Sequence, residues 1–423
     1  MKNLFTPVEW SINTNVYEVN VRQYTDQGTF SAFAQHLPRL REMGVDILWF
    51  MPITPISREG RLGILGSYYA CSDYTAINPE YGTLDDFKIL IKHAHEQGFK
   101  VIIDWVANHT GLDHVWVTSH PNFYKRNAEG KFYDSNGWKD VIDLNYYDHE
   151  LRSYMIDAMT FWVKECDIDG FRCDMAHLVP LDFWRQARTA LEKVKPLFWL
   201  AETDDMNYMT VFDCHYTWRW MHETEKYFAG SSSMDKLINI LNQYKKDAPE
   251  QTQHLYFTTN HDENSWNGTE YEKYGEAALT LAVFSATWDS IPLIYSGQEL
   301  PNRKRLRFFE KDHIEWNDMP TLHNFYRALL QLRKTHPALK AGKLAMPQWV
   351  PTNVGNYVLS FMRRWQGKDL LVLLNLSPNN LFVQLPQGYV TGYFTNIFDG
   401  QQIEMVPQVS VELKSWGYKV LVN

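Results

Sequence analysis

Between Val16 and Leu339 the chain alternates short apolar runs with longer segments of helical period. The short runs lie at Val16–Val21, Asp46–Met51, Lys100–Val106, Gly170–Asp174, Leu197–Glu202, Val211–His215, His254–Asn260 and Ile291–Ser296. Most are apolar at successive rather than alternate positions, the mark of strands buried on both faces. The segments between them read as helices. Phe30, Phe33, Leu37, Leu40 and Met43 recur at helical spacing and stop at Gly44, with Pro38 expected to kink the run. Thr83 caps another helix, with Asp85 and Asp86 in its first turn, Phe87, Leu90, Ile91 and Ala94 along one face, and Gly98 closing it. Eight strands alternating with helices predict a closed parallel (β/α)8 barrel.

Two regions depart from this rhythm. From Asn108 to Tyr147 the chain is polar, aromatic and irregular, whereas a βα loop usually takes about 2–6 residues. It follows the third strand, so it should emerge at the C-terminal mouth of the barrel as a small inserted domain, residues 109–147, walling one side of a cleft. The barrel then comprises residues 1–108 and 148–342. Beyond it, apolar stretches at Tyr357–Met362, Leu370–Leu376, Leu381–Leu385, Val390–Phe398 and Val409–Val422 are separated by turn signals such as Ser377-Pro378-Asn379 and Asp399-Gly400. They predict a C-terminal antiparallel β-sandwich domain over residues 343–423.

Composition narrows the functional classes. The balance of 41 basic and 50 acidic side chains gives −9, with no basic cluster, which argues against a nucleic-acid partner. No stretch approaches the ~20 apolar residues that cross a bilayer, so no membrane partner is expected. The N-terminus lacks the apolar core of a secretory signal. The expected compartment is therefore the cytoplasm, or an exported one if a signal peptide has been removed. Cys71, Cys166, Cys173 and Cys214 show no CxxC spacing and read as free buried thiols. Aromatic residues reach 15%, with 16 Trp and 24 Tyr; most belong to the core, but a few suit stacking on sugar faces. No pattern in the chain bears on oligomeric state.

The chemistry concentrates at strand ends. DWVANH (Asp104–His109), GFRCD (Gly170–Asp174), FWLAET (Phe198–Thr203) and NHD (Asn260–Asp262) each run from a buried strand into charged groups. Catalytic side chains of a parallel barrel sit at that mouth. Cleaving a glycosidic bond needs a protonated acid on the leaving oxygen and a carboxylate at the anomeric carbon. Asp174 and Glu202 end neighbouring strands about 4.8 Å apart, close enough for the roughly 5–5.5 Å carboxyl separation of a retaining enzyme. Arg172, on the same side of its strand, is expected to keep Asp174 ionised by lowering its pKa. The apolar run before Glu202 should raise its pKa and suit it to proton donation. Asp262 is a third carboxylate, and His109 and His261 are hydrogen-bond donors for sugar hydroxyls. Asp104 is expected to orient its neighbours rather than react. A binuclear metal site from His109, Asp174, His261 and Asp262 is the competing arrangement. None of these histidines belongs to an HxH or HExxH unit, so its signal is weak.

Taken in order, these four segments resemble the four signature regions of the α-amylase family of glycoside hydrolases, family 13. GSYYACSDYTAINPEYGT (Gly66–Thr83) resembles the segment that supplies a stacking tyrosine, here Tyr69, and DLN (Asp143–Asn145) resembles a short fifth region. VYEVNVRQYT near the start and VLLNLS in the last domain extend the likeness over nearly the whole chain. The resemblance implies Asp174 as nucleophile, Glu202 as acid/base and Asp262 as transition-state stabiliser. Tyr69, His109, Arg172 and His261 would line the sugar subsite before the scissile bond. It implies an α-glucan oligosaccharide or polysaccharide substrate, cleaved at α-1,4 bonds. Cyclomaltodextrinase, α-1,6-glucosidase, transglycosylase and non-catalytic glucan-binding or transporter-partner roles remain open at this stage. Many relatives carry a Lys-His pair where this chain has His177 and Leu178, so product-side binding would fall to His177. If a metal is bound, the resemblance implies a structural calcium, with Asn108 and Asp143 among its ligands.

Overall fold

The computed structural model describes residues 2–289, 291–340 and 342–423. Eight parallel strands close a barrel: β1 Val16–Val19, β2 Ile47–Phe50, β3 Lys100–Trp105, β4 Gly170–Cys173, β5 Phe198–Ala201, β6 Cys214–Tyr216, β7 Gln253–Tyr256 and β8 Ile291–Tyr295. Neighbours in sequence are neighbours in space, and β8 returns to β1 with Val16 opposite Leu293. Side chains alternate between two buried environments. Ile47, Trp49, Ile102, Phe198 and Leu200 fill the barrel interior, while Leu48, Phe50, Val101, Phe171 and Trp199 pack outward beneath the helices. This double burial is why the strands lack polar alternation. Gly170 is fixed by the close approach of β4 and β5, since a Cβ there would lie 2.1 Å from the Phe198 carbonyl oxygen.

The helices follow their signals with one revision. Leu84–Glu96 opens with a reciprocal capping box between Thr83 and Asp86. The run expected as one helix kinked at Pro38 is two helices, Phe30–Ala34 and Leu37–Met43. Pro38 sits in the first turn of the second, where a missing N–H removes no bond, so the break falls before the proline. Gly44 then ends the helix at φ +105°. Ala277–Thr287 is buried at every position but Leu279 because it lies between barrel and C-terminal sheet, with Phe284 stacked on Trp288 and edge-on to Phe361.

After β3 the chain forms a two-stranded antiparallel ladder, His109–Gly111 with Val141–Asp143, and a short helix, Val115–Ser119. Beyond the barrel lie a six-stranded sheet and a two-stranded sheet, Leu381–Gln384 with Ser410–Leu413. Their facing side chains, Leu371, Leu373, Val383, Phe394, Val411 and Leu421 among them, form one cluster. The stretch expected as Val409–Val422 is two strands, Ser410–Leu413 and Tyr418–Val422, divided at Trp416, whose φ is +53°. The edge strand Gln402–Met405 gives no apolar signal because Met405 is its one buried residue.

Candidate active site

The interior phase of the strands delivers the site. On β4, Phe171 and Cys173 face the helices while Arg172 points inward, and Asp174 continues that phase just past the strand. Glu202 follows the inward Leu200 of β5 in the same way. Arg172 is fully buried, with Nη1 2.9 Å from Oδ1 of both Asp174 and Asp104. Its Nη2 lies 2.9 Å from Glu202 Oε2, a charge contact without hydrogen-bond alignment. One guanidinium thus holds three carboxylates, with the Trp49 ring 5.0 Å away. Asp104 does orient its neighbours: its second oxygen accepts from Trp49 Nε1 at 3.2 Å and the Tyr69 hydroxyl at 3.1 Å.

Met175 follows Asp174 at φ +39°, a left-handed conformation unusual for a residue with a side chain. That turn aims its backbone N–H at Glu202 Oε2, 2.8 Å away. Asp262 sits beyond β7, its Oδ2 3.3 Å from His261 Nε2. His261 Nδ1 lies 2.5 Å from Glu18 Oε1, and its Nε2 is 2.6 Å from the Tyr69 hydroxyl. The Tyr69 ring stacks on His261 at 5.4 Å and 19°. His109 Nδ1 is 3.2 Å from Asn108 Nδ2, which donates to it and leaves the ring proton on Nε2.

Burial and charge set the protonation states. Burial raises Glu202 to about 7, with Arg172 acting downward and Asp174 and Asp262 upward. Burial also raises Asp174 to about 7 against Arg172, with Asp104 and Asp262 adding to the rise. The expectation that Arg172 would lower Asp174 below its ordinary value is therefore corrected. The guanidinium does act downward, but it is divided among three carboxylates and burial outweighs it. Both carboxyls are therefore held above the ordinary carboxylate range. Burial acts against ionisation of Asp262 too, but the charge and hydrogen bond of His261 hold it below its ordinary value. Burial opposes the charge on His261, yet Asp262 and Glu18 raise it well above the ordinary range. Burial lowers His109 to about 4, leaving it neutral.

A cavity of about 430 Å³ opens over this cluster, and its lining includes Tyr69, His109, Asp174, Glu202 and Asp262. Trp138 from the inserted segment and Trp266, Phe308 and Phe309 from loops after β7 and β8 complete its walls. Trp138 and Trp266 keep 38% and 52% of their surface exposed. Arg172 lies beneath the cavity floor. His177 is exposed, in the turn Ala176–Leu178, and is not part of the lining. Asn108 and Asp143 are buried at the base of the inserted ladder, also outside the lining. Sequence reasoning missed Glu18, although its position in the inward phase of β1 was a legible signal. It also missed Trp138, Trp266 and Phe308, which only tertiary contact brings together.

Asn108 and Asp143, the ligands the resemblance implies for calcium, already have partners within the chain. Asp143 Oδ2 is 3.0 Å from Lys125 Nζ and accepts from both the hydroxyl and the backbone N–H of Ser135. Only its other oxygen, Oδ1, is without a partner. Calcium takes 6–8 oxygens, and an ammonium on the same carboxylate opposes a second cation. Among the described residues, no group of three or more His, Cys, Asp or Glu side chains is placed to hold a metal.

A barrel mouth of buried carboxylates under an aromatic-walled cavity defines the class: a (β/α)8-barrel glycosidase site. Comparison with known proteins agrees. The α-amylase catalytic-domain model matches residues 12–134 and 121–320. An α-amylase from Lactobacillus plantarum shares 30% identity over 97% of this chain and 99% of its own, with a TM-score of 0.88. A noncanonic maltogenic α-amylase, AmyB from Thermotoga neapolitana, shares 30% identity over the same fractions, with a TM-score of 0.89. The α-amylase MalA of Haloarcula japonica is 26% identical over 95% of this chain, which spans 62% of that relative's length. The chain belongs to the α-amylase family of glycoside hydrolases, family 13.

Proposed function

We propose that this protein is a retaining hydrolase of α-1,4-glucosidic bonds in starch or maltooligosaccharides. The observation that carries the reading is the sharing of one buried guanidinium by Asp174 and Glu202 at neighbouring strand ends, which keeps the two carboxyls close. Protonated Glu202 gives its proton to the glycosidic oxygen as the C1–O bond breaks, and an Asp174 oxygen takes C1 from the opposite face to form an ester. Water then gives a proton to Glu202 and attacks C1, the ester C–O bond breaks, and Asp174 is released as carboxylate. Asp262 grips hydroxyls of the same sugar, Tyr69 supports its face, and neutral His109 donates from Nε2, while buried His261 positions Asp262 and Tyr69 from behind the cavity wall. Trp138 and Trp266 extend the stacking surface along the glucan.

Incubation with maltoheptaose, β-cyclodextrin, pullulan and isomaltose tests the reading. Maltoheptaose should be cleaved fastest, and proton NMR should show the α-anomer first. A β-anomer appearing first would mean that water attacks directly and Asp174 is no nucleophile. Preferential ring opening, α-1,6 cleavage or longer transfer products would assign the same site to the neighbouring specificities. Binding without turnover would reject the enzymatic reading.

A further inference from the structure

We infer that the Lys125 ammonium is the resident cation at the base of the inserted segment, in the role the family resemblance would give to calcium. Its position is set by backbone. Tyr124 pairs antiparallel with Leu144, and Lys125 N donates to the Asp143 carbonyl at 2.9 Å, so the lysine stem starts directly beside the carboxylate it neutralises. The Asp143 side chain is fully buried, while Lys125 keeps 36% of its own exposed. The ammonium thus reaches inward to a carboxylate that the fold covers. An ordinary surface ion pair contributes little, because both charges are solvated whether or not they pair. Here, removing the cation strands a buried anion, which is the costly case.

The same carboxylate gathers the segment that walls the cleft. Ser135 bonds to it through backbone and hydroxyl, and Asp143 N donates to the Tyr133 carbonyl at 3.0 Å. The adjoining Asp134 caps the turn that carries Trp138, accepting from Trp138 N at 2.7 Å. Trp138 then meets His109 edge-on at 5.1 Å. Lys125 therefore supplies from within the chain the charge that anchors this wall to the barrel.

Thermal unfolding of the intact protein tests this. The parental Tm should be the same within about 1 °C in excess EDTA and in millimolar calcium chloride, because no site gains or loses a cation. Lys125→Met keeps the stem without the charge and should lower Tm by about 3 °C or more. Lys125→Arg keeps the charge and should stay within about 2 °C of the parent. This variant decides the matter if Lys125→Met does not fold. A parental Tm that falls in EDTA and recovers with calcium would overturn the inference. So would a Lys125→Met protein as stable as the parent, or a Lys125→Arg protein that unfolds with it.

Discussion

The two ends of the barrel use the same ingredients in opposite proportion. At the mouth, one buried guanidinium, Arg172, holds Asp104, Asp174 and Glu202. At the base, just before β4, one buried carboxylate, Asp169, is held by two lysines and a histidine: His95 at 2.7 Å, Lys100 at 3.1 Å and Lys195 at 3.4 Å. It also accepts from Val101 N at 2.9 Å. Burial pushes Asp169 up, but these partners hold it below its ordinary value, whereas burial wins for Asp174 and Glu202. The base is over-compensated and fixed in one charge state. The mouth is under-compensated, which raises both carboxyls toward neutral pH, where the proposed acid/base pair needs an exchangeable proton.

Breaking the mouth should therefore cost activity without costing the fold. Asp174→Asn should lower kcat by about 10⁴-fold or more on maltoheptaose. Its Tm at pH 7.5 should equal or exceed the parent's. Folded Asp174 and Glu202 have pKa values raised above their ordinary ones, so the folded state binds more protons and loses stability as pH rises from the ordinary carboxyl range to about 7. Neutral asparagine escapes that loss. A large Tm drop would mean that Asp174 is a structural anion. Next in size, Glu202→Gln should slow turnover by about 10²–10⁴-fold. In the parent, activity should decline above about pH 7, where Glu202 loses its proton. An alkaline limb unchanged in a Glu202→Gln protein of near-parental turnover would reassign the acid.

Glu18→Gln should give a smaller effect, about 10-fold in kcat, by removing one of the two anions that charge His261. NMR titration of the His261 ring should show its pKa lowered; a ring titrating as in the parent would exclude Glu18 as its partner. The smallest effect on activity belongs to the base. Asp169→Asn should leave kcat within about twofold while lowering stability by about 1–3 kcal/mol at pH 7. Because the folded pKa of Asp169 is depressed, its contribution is present above the ordinary aspartate value of 3.8 and lost as pH falls through the folded value. Chemical denaturation at pH 7 and pH 3 should show the gap between parent and variant closing at the lower pH. A gap that does not close would mean Asp169 acts through geometry rather than charge.

Legibility in the sequence follows the source of each interaction. The eight strands are apolar runs, and double burial writes itself into composition. Their ends were overrun because residues such as Thr258 to Asn260 leave the ladder yet stay buried on the way to the cleft. Asp174, Glu202, His261 and Asp262 were readable because strand-end chemistry is local. Lys125 and Ser135 were not, because the inserted segment has no period and its contacts to Asp143 arise only after the chain folds back. His177 was suggested by its place in a motif, but a turn of three residues, Ala176–Leu178, leaves it in solvent.

The left-handed Met175 makes one peptide a point of exchange between durability and catalysis. A side chain in that conformation costs on the order of 1–3 kcal/mol, which glycine would largely recover. Yet the same peptide N–H, 2.8 Å from Glu202 Oε2, ties the proposed proton donor to the residue after the proposed nucleophile. Met175→Gly would relieve the strain but loosen the turn that aims this N–H at Glu202. Selection for a tougher enzyme should therefore find its gains at the base of the barrel and leave this residue strained.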